Sequence, residues 1–415
     1  MLPTMIQLFK PWYDEREIAA AAEVIRSGWV GLGPKTAEFE KKFAEFSGVP
    51  YCVGLNSCTA ALDLAMRLLG VNHGDEVILP TITFVSTAHC VAYNLGVPVF
   101  ADVNERTLDL DVEDVARKIG PRTKAIIAVH YGGRPVDMDA LKRVAGSIPI
   151  VEDCAHAAGG RYKGKPVGSL GVMGCFSFHA VKNLAMGEGG ALILSDEQMA
   201  QRAKRLRWLG IDKGTWDRTG VDKSYWWEYS VDEIGLKSHL NDMHAAIGLV
   251  QLSKLEEANR RRRAIVEAYR RGFEDVAQIT MPAPDDDNFQ TAWHLCEILA
   301  ASRDELSEFL KARGINTGVH YKPIHLYRCY GNRPSLPTAE RLFPRMLSLP
   351  LHPGLTDEEI NQIITSVRGF YQPRVSVGVP RSPGDAKGNP HDCWESDSVA
   401  CHREKRSPHH DALAK

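Results

Sequence analysis

Two side chains in this sequence have types and surroundings that suit covalent chemistry. Residues 176–190 read FSFHAVKNLAMGEGG, where Lys182 stands between an apolar, aromatic-rich run and a glycine-rich turn. Burying an ammonium without a partner is costly, so a lysine in this setting is either the polar tip of a loop or a chemically employed group. Upstream, the apolar run IPIVED ends in Asp153, 29 residues before Lys182. Alone, an aspartate at a strand end reads as a helix cap. Together, the pair suits a pyridoxal phosphate (PLP) site. A lysine amine condenses with the cofactor's aldehyde, and a carboxylate keeps the pyridine nitrogen protonated so that the ring can accept electrons.

Such a cofactor also needs donors for its phosphate. The stretch NSCTAALDLA places small residues at a helix start, where free N–H groups and the helix dipole favour an anion. Ser57 and Thr59 hydroxyls can add hydrogen bonds there, although the same residues also read as an ordinary N-cap. Ser177, on the strand approach to Lys182, is a second phosphate candidate. Phe84 in PTITFVST follows a strand end, where its ring either stacks on the cofactor or packs in the core.

The elements that must hold these residues are legible as periodicities. YCVGLNS, DEVILP, VPVFADV, TKAIIAVHYGG, IPIVEDCAH, GCFSFHA and GALILSD read as short strands. Helical patterns such as CTAALDLAMRLLGV, STAHCVAYNLG and DMDALKRVAG lie among them. This alternation predicts a mainly parallel sheet wrapped by helices, with its ligand site at the carboxyl ends of the strands. After EQMAQRAKRLRWLG comes an aromatic, charged insertion at 211–234, and then a long helix from DMHAAIG to YRRGF. We expect a large domain over 1–255, a smaller α/β domain over 256–372, and a polar, Pro- and Gly-rich tail over 373–415 that is disordered.

The chain of 415 residues is 44% hydrophobic and 25% charged, a globular composition. Its net charge of -2 and the absence of a basic patch argue against nucleic acid as a partner. No apolar run reaches the length of a membrane span, and the start lacks the features of a signal peptide, so a cytoplasmic location is expected. The nine cysteines include no CxxC pair, which argues against structural zinc and against a disulfide framework. No metal is expected.

The sequence resembles the DegT/StrS-type family of PLP-dependent sugar aminotransferases. The resemblance is carried by GWVGLGPKTAEFEKKFAEFSGVPYCVGLNSCTAALDLAM, GDEVILPTITFVSTA, VEDCAHAAGGRYKGKPVGSLGVMGCFSFHAVKNLAMGEGGALILSD, NDMHAAIGLVQL, VHYKPIHL and LPLHPGLTDEEI, in family order from about residue 10 to 370. It implies the aspartate aminotransferase-like fold (fold type I). It matches Lys182 to the covalent lysine, Asp153 to the pyridinium partner, His156 to a contact of the phenolic oxygen and Phe84 to the stacking ring. Thr59, Ala60 and Ser177 match the phosphate cradle. Trp29, Gly31, His320, Tyr321 and Lys322 match loops lining the sugar pocket.

Family members are dimers that share active sites, and GLKSHLND matches the phosphate-contacting stretch lent to the neighbour. His239 stands there as the implied cofactor contact, at a position where asparagine is common. Cys58 is a second departure, at a position usually glycine; a thiol beside the phosphate would make the site sensitive to oxidants. The resemblance implies amino transfer from glutamate to a keto sugar nucleotide, most favourably a 4-keto-6-deoxy sugar, with the 3-keto isomer as the alternative. A PLP-dependent sugar dehydratase is a further alternative, disfavoured because its pattern has histidine in place of Lys182. A non-enzymatic PLP-binding regulator is disfavoured by the complete set Asp153, Ser177 and Lys182.

Overall fold

Short apolar runs broken by glycine, each followed by a helical period, assemble in the computed structural model into one wrapped sheet. The structure describes residues 5–212, 228–331 and 334–372. The tail expected to be disordered and most of the 211–234 insertion lie outside the described residues.

After helices α1 (Glu15–Ser27) and α2 (Pro34–Ser47), the chain enters β1 (Tyr51–Leu55) and α3 (Cys58–Leu68). It continues through β2 (Glu76–Pro80), α4 (Ser86–Tyr93), β3 (Val97–Ala101), α5 (Val112–Lys118), β4 (Thr123–Val129), α6 (Met138–Ala145) and β5 (Ile150–Asp153). A short pair, β6 (Arg161–Tyr162) and β7 (Lys165–Pro166), precedes β8 (Met173–Ser177), β9 (Gly190–Leu194) and α7 (Glu197–Leu206). The main sheet has the order β1-β9-β8-β5-β4-β2-β3. Among its strands only β9 runs against the rest. Helices cover both faces, so β5 and β9 are buried along their whole length, which explains the unbroken apolar reading of β9.

Side-chain alternation along β8 separates packing from chemistry. Phe176 and, just past the strand, Phe178 point toward α2, where they meet Phe43 edge-on at 5.0 and 5.1 Å. Phe39 meets Phe178 in the same manner at 5.4 Å. Ser177, between them, faces the opposite side. The helical spacing of Phe39 and Phe43 therefore anchors the strand that leads to Lys182.

The long helix Asp242–Gly272 changes core along its length. Ala245 and Leu255 pack with the α2 aromatics. From Ile265 onward its apolar side chains join a second core. That core sits on a three-stranded sheet of β10 (Ile279–Thr280), β12 (Cys296–Ala300) and β13 (Met346–Leu349), while β11 (Phe289–Gln290) pairs with β6. The later sequence is not confined to the second core. Leu295, Ile324, Leu336 and Met346 pack into the core of the main sheet.

Asp242 ties the helix start to α2. It is buried, and its carboxylate accepts from Thr36 N–H at 2.9 Å, Thr36 Oγ1 at 2.7 Å and Lys35 N–H at 3.1 Å. It serves as the cap of a helix 206 residues away in sequence. Replacing Asp242 by Ala removes these bonds and leaves buried donors unpaired, at a cost of about 2–4 kcal/mol. Asp242→Asn retains an acceptor and loses less. Urea unfolding of the two variants checks this order; equal midpoints for Asp242→Ala and the parent would refute it.

Candidate active site

Lys182 occupies a loop between β8 and β9 that closes on itself. Phe178 N–H donates to Gly189 O and Ala180 N–H to Gly187 O, both at 2.8 Å, and Lys182 N–H donates to His179 O at 2.9 Å. Gly187 has φ +90°, a conformation that residues with a side chain rarely adopt. Gly190 stands where β9 passes the start of α3; a Cβ there would lie 2.3 Å from the carbonyl carbon of Ser57 and 2.6 Å from Cys58 N. The glycines of GEGG therefore allow the loop to turn and let the first turn of α3 approach it.

The Lys182 side chain reaches a cavity of about 350 Å³. Ser57, Thr59, Phe84, Asp153, His156, Ser177, His320 and Tyr321 line it as well. Ser57 is the N-cap of α3, its Oγ accepting from Ala60 N–H at 3.1 Å. Ala60 therefore acts through its backbone, beside the wall. Within one chain Phe84 is 56% exposed, its ring 5.8 Å from that of Tyr321, so it stands at the mouth of the cavity rather than in the core. The Tyr321 hydroxyl lies 3.0 Å from His156 Nε2.

Asp153 ends β5, so its carboxylate emerges at the carboxyl edge of the sheet. Thr87 Oγ1 donates to Oδ2 at 2.8 Å and Ala155 N–H to Oδ1 at 3.1 Å. Burial raises its pKa, while these bonds and the Lys182 charge oppose the rise. Its neighbour Glu152 points to the other face. There it accepts from the N–H groups of Gly168, Leu170 and Gly171 at 2.7, 2.7 and 2.5 Å and pairs with His130 Nε2 at 2.9 Å. Val136 N–H donates to His130 Nδ1 at 3.1 Å, so the ring proton sits on Nε2. The cluster of His130, Glu152 and Cys154 spans less than 4.8 Å, but neither nitrogen of His130 has a lone pair left for a cation. This cluster is a structural knot that fixes β5 and, with it, Asp153.

Burial lowers the Lys182 pKa to about 8, against the raising influence of Cys58 and Asp153. Nζ lies 3.5 Å from His294 Nε2. The next residue, Asn183, orients that imidazole. Asn183 Nδ2 donates to Ala292 O at 2.7 Å and Asn259 Oδ1 at 2.9 Å, so its oxygen must accept from His294 Nδ1, 3.1 Å away. The Nε2 lone pair consequently faces the lysine. His156 and His294 are held far below the usual imidazole range, first by burial and then by the Lys182 charge.

Trp29, Gly31, Lys322 and His239 lie outside the walls of this chain's own cavity. Trp29 Nε1 donates to Leu32 O at 3.1 Å, and Gly31 O accepts from Asp242 N–H at 2.8 Å. Lys322 is exposed, with Nζ 5.1 Å from the Tyr327 ring centre, and His239 packs edge-on against Trp208 at 4.4 Å. The expected oxidant sensitivity of Cys58 is not what the site favours. Its thiol is buried, pushed well above the ordinary range and directed at Asp153 Oδ1 at 3.9 Å, conditions that suppress thiolate reactivity. Sequence reading missed Thr87 and His294. Thr87 lies one helical turn past Thr83, its Oγ1 partner at 2.9 Å, a spacing open to inspection; His294, inside an apolar run, carries no local signal.

The residues fit PLP. An amine of lowered pKa, a buried carboxylate in the same cavity, the Ser57 and Ser177 hydroxyls and the α3 N-terminus match an aldehyde, a pyridine nitrogen and a phosphate, and His156 Nδ1 is buried with no partner among the described residues. A site of this donor set, at the carboxyl edge of a mainly parallel sheet, defines a PLP-dependent enzyme of fold type I. The chain belongs to the DegT/DnrJ/EryC1/StrS aminotransferase family, whose model matches residues 11–368. It is 38% identical to the dTDP-4-dehydro-2,3,6-trideoxy-D-glucose 4-aminotransferase of Saccharopolyspora spinosa over 91% of this chain and 99% of that protein. The aminotransferase TlmJ from Streptoalloteichus hindustanus matches at TM-score 0.83 and 40% identity, over 88% of this chain and 98% of TlmJ. The PLP form of Spr1654 from Streptococcus pneumoniae matches at TM-score 0.81 and 33% identity, over 88% and 97% of the two chains. The protein is a PLP-dependent sugar aminotransferase.

A lysine that titrates near 8 is half neutral there, while an ordinary one is still charged. Only the neutral amine attacks an electrophile. In the cofactor-free protein, trinitrobenzenesulfonate labelling of Lys182, followed by peptide mass spectrometry, should rise through a midpoint near pH 8. A midpoint at the ordinary lysine value of 10.5 would contradict the desolvated site.

Proposed function

We propose that this enzyme moves an amino group from glutamate to a keto sugar nucleotide, most favourably a 4-keto-6-deoxy sugar, in amino-sugar or polysaccharide biosynthesis. One observation carries the chemistry: Lys182 and Asp153 line the same cavity at the strand ends. The relative named as a 4-aminotransferase supports position 4, and a curated relative 38% identical, a spore coat polysaccharide biosynthesis protein, supports the pathway class.

Lys182, Asp153, Ser57, Thr59 and Ser177 would hold PLP, which when bound supplies an electron-withdrawing ring conjugated to the reacting carbon. Lys182 Nζ, kept partly neutral by burial, takes a proton from the α carbon of the amino donor and returns one during amination of the sugar carbon. His294 accepts one Nζ–H bond and so limits the directions in which the lysine lone pair points. Asp153, fixed from behind by the Glu152 knot, holds its negative charge toward the cavity. Over a full cycle glutamate leaves as 2-oxoglutarate, whose keto oxygen comes from one water, and the sugar's ketone oxygen leaves as another, so that no net water is formed.

We infer further that the active form is a homodimer in which the GLKSHLND stretch of one copy completes the other's cavity. Support comes from the exposure of Val231, Ile234 and Leu236 beside that stretch, and from the position of His239 outside its own chain's site. The enzyme would act in the cytoplasm; no described helix is long and apolar enough to cross a membrane.

The deciding experiment incubates the PLP-loaded enzyme with glutamate and a panel of 4-keto and 3-keto sugar nucleotides, reading amino sugar and 2-oxoglutarate by mass spectrometry. Amination of 4-keto members is expected, and Lys182→Ala should lower turnover about 10²–10⁴-fold. No amination of any member would sink the reading, and a preference for 3-keto members would move the assigned carbon. For the assembly, sedimentation of the parent should give a dimer and Ile234→Asp a monomer of much lower activity. A fully active monomeric parent would refute site sharing.

A further inference from the structure

A hydroxyl has one proton, so between two strong partners it donates to one and accepts from the other. Such a hydroxyl links the buried interior to the active cavity. Glu297 on β12 is 4% exposed, faces Ser348 across the β12–β13 register, and accepts a hydrogen bond from Ser348 Oγ. Ser348 Oγ lies 2.8 Å from His320 Nδ1, and the His320 ring lines the Lys182 cavity. The imidazole is held in place from two further sides. The Tyr131 hydroxyl donates to the His320 carbonyl, and the Phe9 ring stands across the imidazole at 5.5 Å. No described residue bonds His320 Nε2.

We propose that Glu297 is a positioning residue which, through Ser348, sets the nitrogen of His320 that carries the ring proton, and so whether the cavity is offered an acceptor or a donor. With Glu297 ionised, Ser348 donates to the carboxylate and must accept from His320 Nδ1–H. Nε2 then presents a lone pair to the cavity. With Glu297 protonated, its O–H donates to Ser348 Oγ and the serine proton turns to Nδ1. The ring proton then resides on Nε2, which becomes a donor. The balance is one proton taken up by Glu297; the ring loses one at Nδ1 and gains one at Nε2.

The surroundings allow both states. Burial pushes Glu297 up to about 8, against the Ser348 hydroxyl, the Arg303 charge and the His320 backbone N–H. The other titratable groups facing it are Tyr131, Tyr321 and Cys296. His320 is pushed down to about 4 by burial and by the Lys182 charge, with His156 and His294 as its other titratable neighbours. Its ring is therefore neutral throughout the range in which Glu297 titrates, and only the place of its proton changes. Glu297 also borders a cavity of about 430 Å³ beneath Tyr131 and Trp293, roomy enough for water to exchange the proton.

The test needs no substrate, so its outcome does not depend on which sugar is aminated. The PLP-loaded, full-length enzyme is labelled with ¹⁵N-histidine, and the His320 signals are identified by their loss in His320→Asn. Long-range ¹H–¹⁵N correlation then reports the protonated nitrogen between pH 6 and 10, chosen to lie about two units either side of the Glu297 midpoint. The expected result is Nε2–H at the low end and Nδ1–H at the high end, their ratio shifting about tenfold per pH unit around 8. Glu297→Gln should abolish this dependence, and so should Ser348→Ala, which cuts the link without touching the carboxyl. Lys182 and the cofactor it holds are the same in the parent and in both variants, so the comparison assigns the dependence to Glu297 and its link through Ser348. One tautomer over the whole range in the parent would overturn the proposal, as would a tautomer switch near pH 8 that survives either substitution.

Discussion

An ammonium and a carboxylate taken out of water together set the terms for the rest of this structure. Desolvation pushes both Lys182 and Asp153 toward their neutral forms, down for the lysine and up for the aspartate. Left unpaired, either would be a severe liability. Their mutual attraction offsets part of the cost, and directed hydrogen bonds from Thr87 and Ala155 offset more on the carboxylate side. The result is a lysine near its point of half ionisation, which can take and return protons near neutral pH.

Holding that pair requires rigidity behind it more than contacts in front. Asp153 is fixed because Glu152, one residue earlier and on the opposite face of β5, is bound by three backbone N–H groups and His130. Lys182 is fixed because β8 and β9 are locked in register and Phe176 and Phe178 are clamped by α2. In both cases the period-2 alternation of a strand sends one side chain into packing and its neighbour into the cavity. The glycine at 190 then lets the start of α3, with its free N–H groups, close the remaining side.

This logic explains what was legible in the sequence. Strand ends, helix starts and the GEGG turn are local patterns, so Lys182, Asp153, Ser57, Thr59 and Ser177 could be found from their own neighbourhoods. His294, Asn259, Glu297 and Ser348 come from elements far along the chain, inside apolar or helical runs, where a single polar residue is indistinguishable from any satisfied buried group. The mixing of cores was hidden for the same reason. Leu295 and Met346 carry no mark of which sheet they cover, because burial on either side demands the same apolar type. Trp29, Gly31, Lys322 and His239 were legible only through resemblance, and in the single chain they do not line its cavity.

The polar groups behind the cavity share a further property: each hydrogen-bond chain ends in an imidazole whose proton is assigned by something buried. Asn183, its amide held by Ala292 O and Asn259, assigns the proton of His294 to Nδ1 and leaves an acceptor for Lys182. That amide cannot reverse its roles without losing two bonds, so the lysine always meets an acceptor there. Ser348 can reverse, because a hydroxyl rotates at little cost and Glu297 exists in two proton states. The lysine thus rests against a fixed partner on one side, while the cavity wall at His320 retains a choice of polarity. An enzyme that must receive an amino donor and then a ketone in the same space meets both hydrogen-bond donors and acceptors, and a reversible imidazole accommodates either without moving a backbone atom.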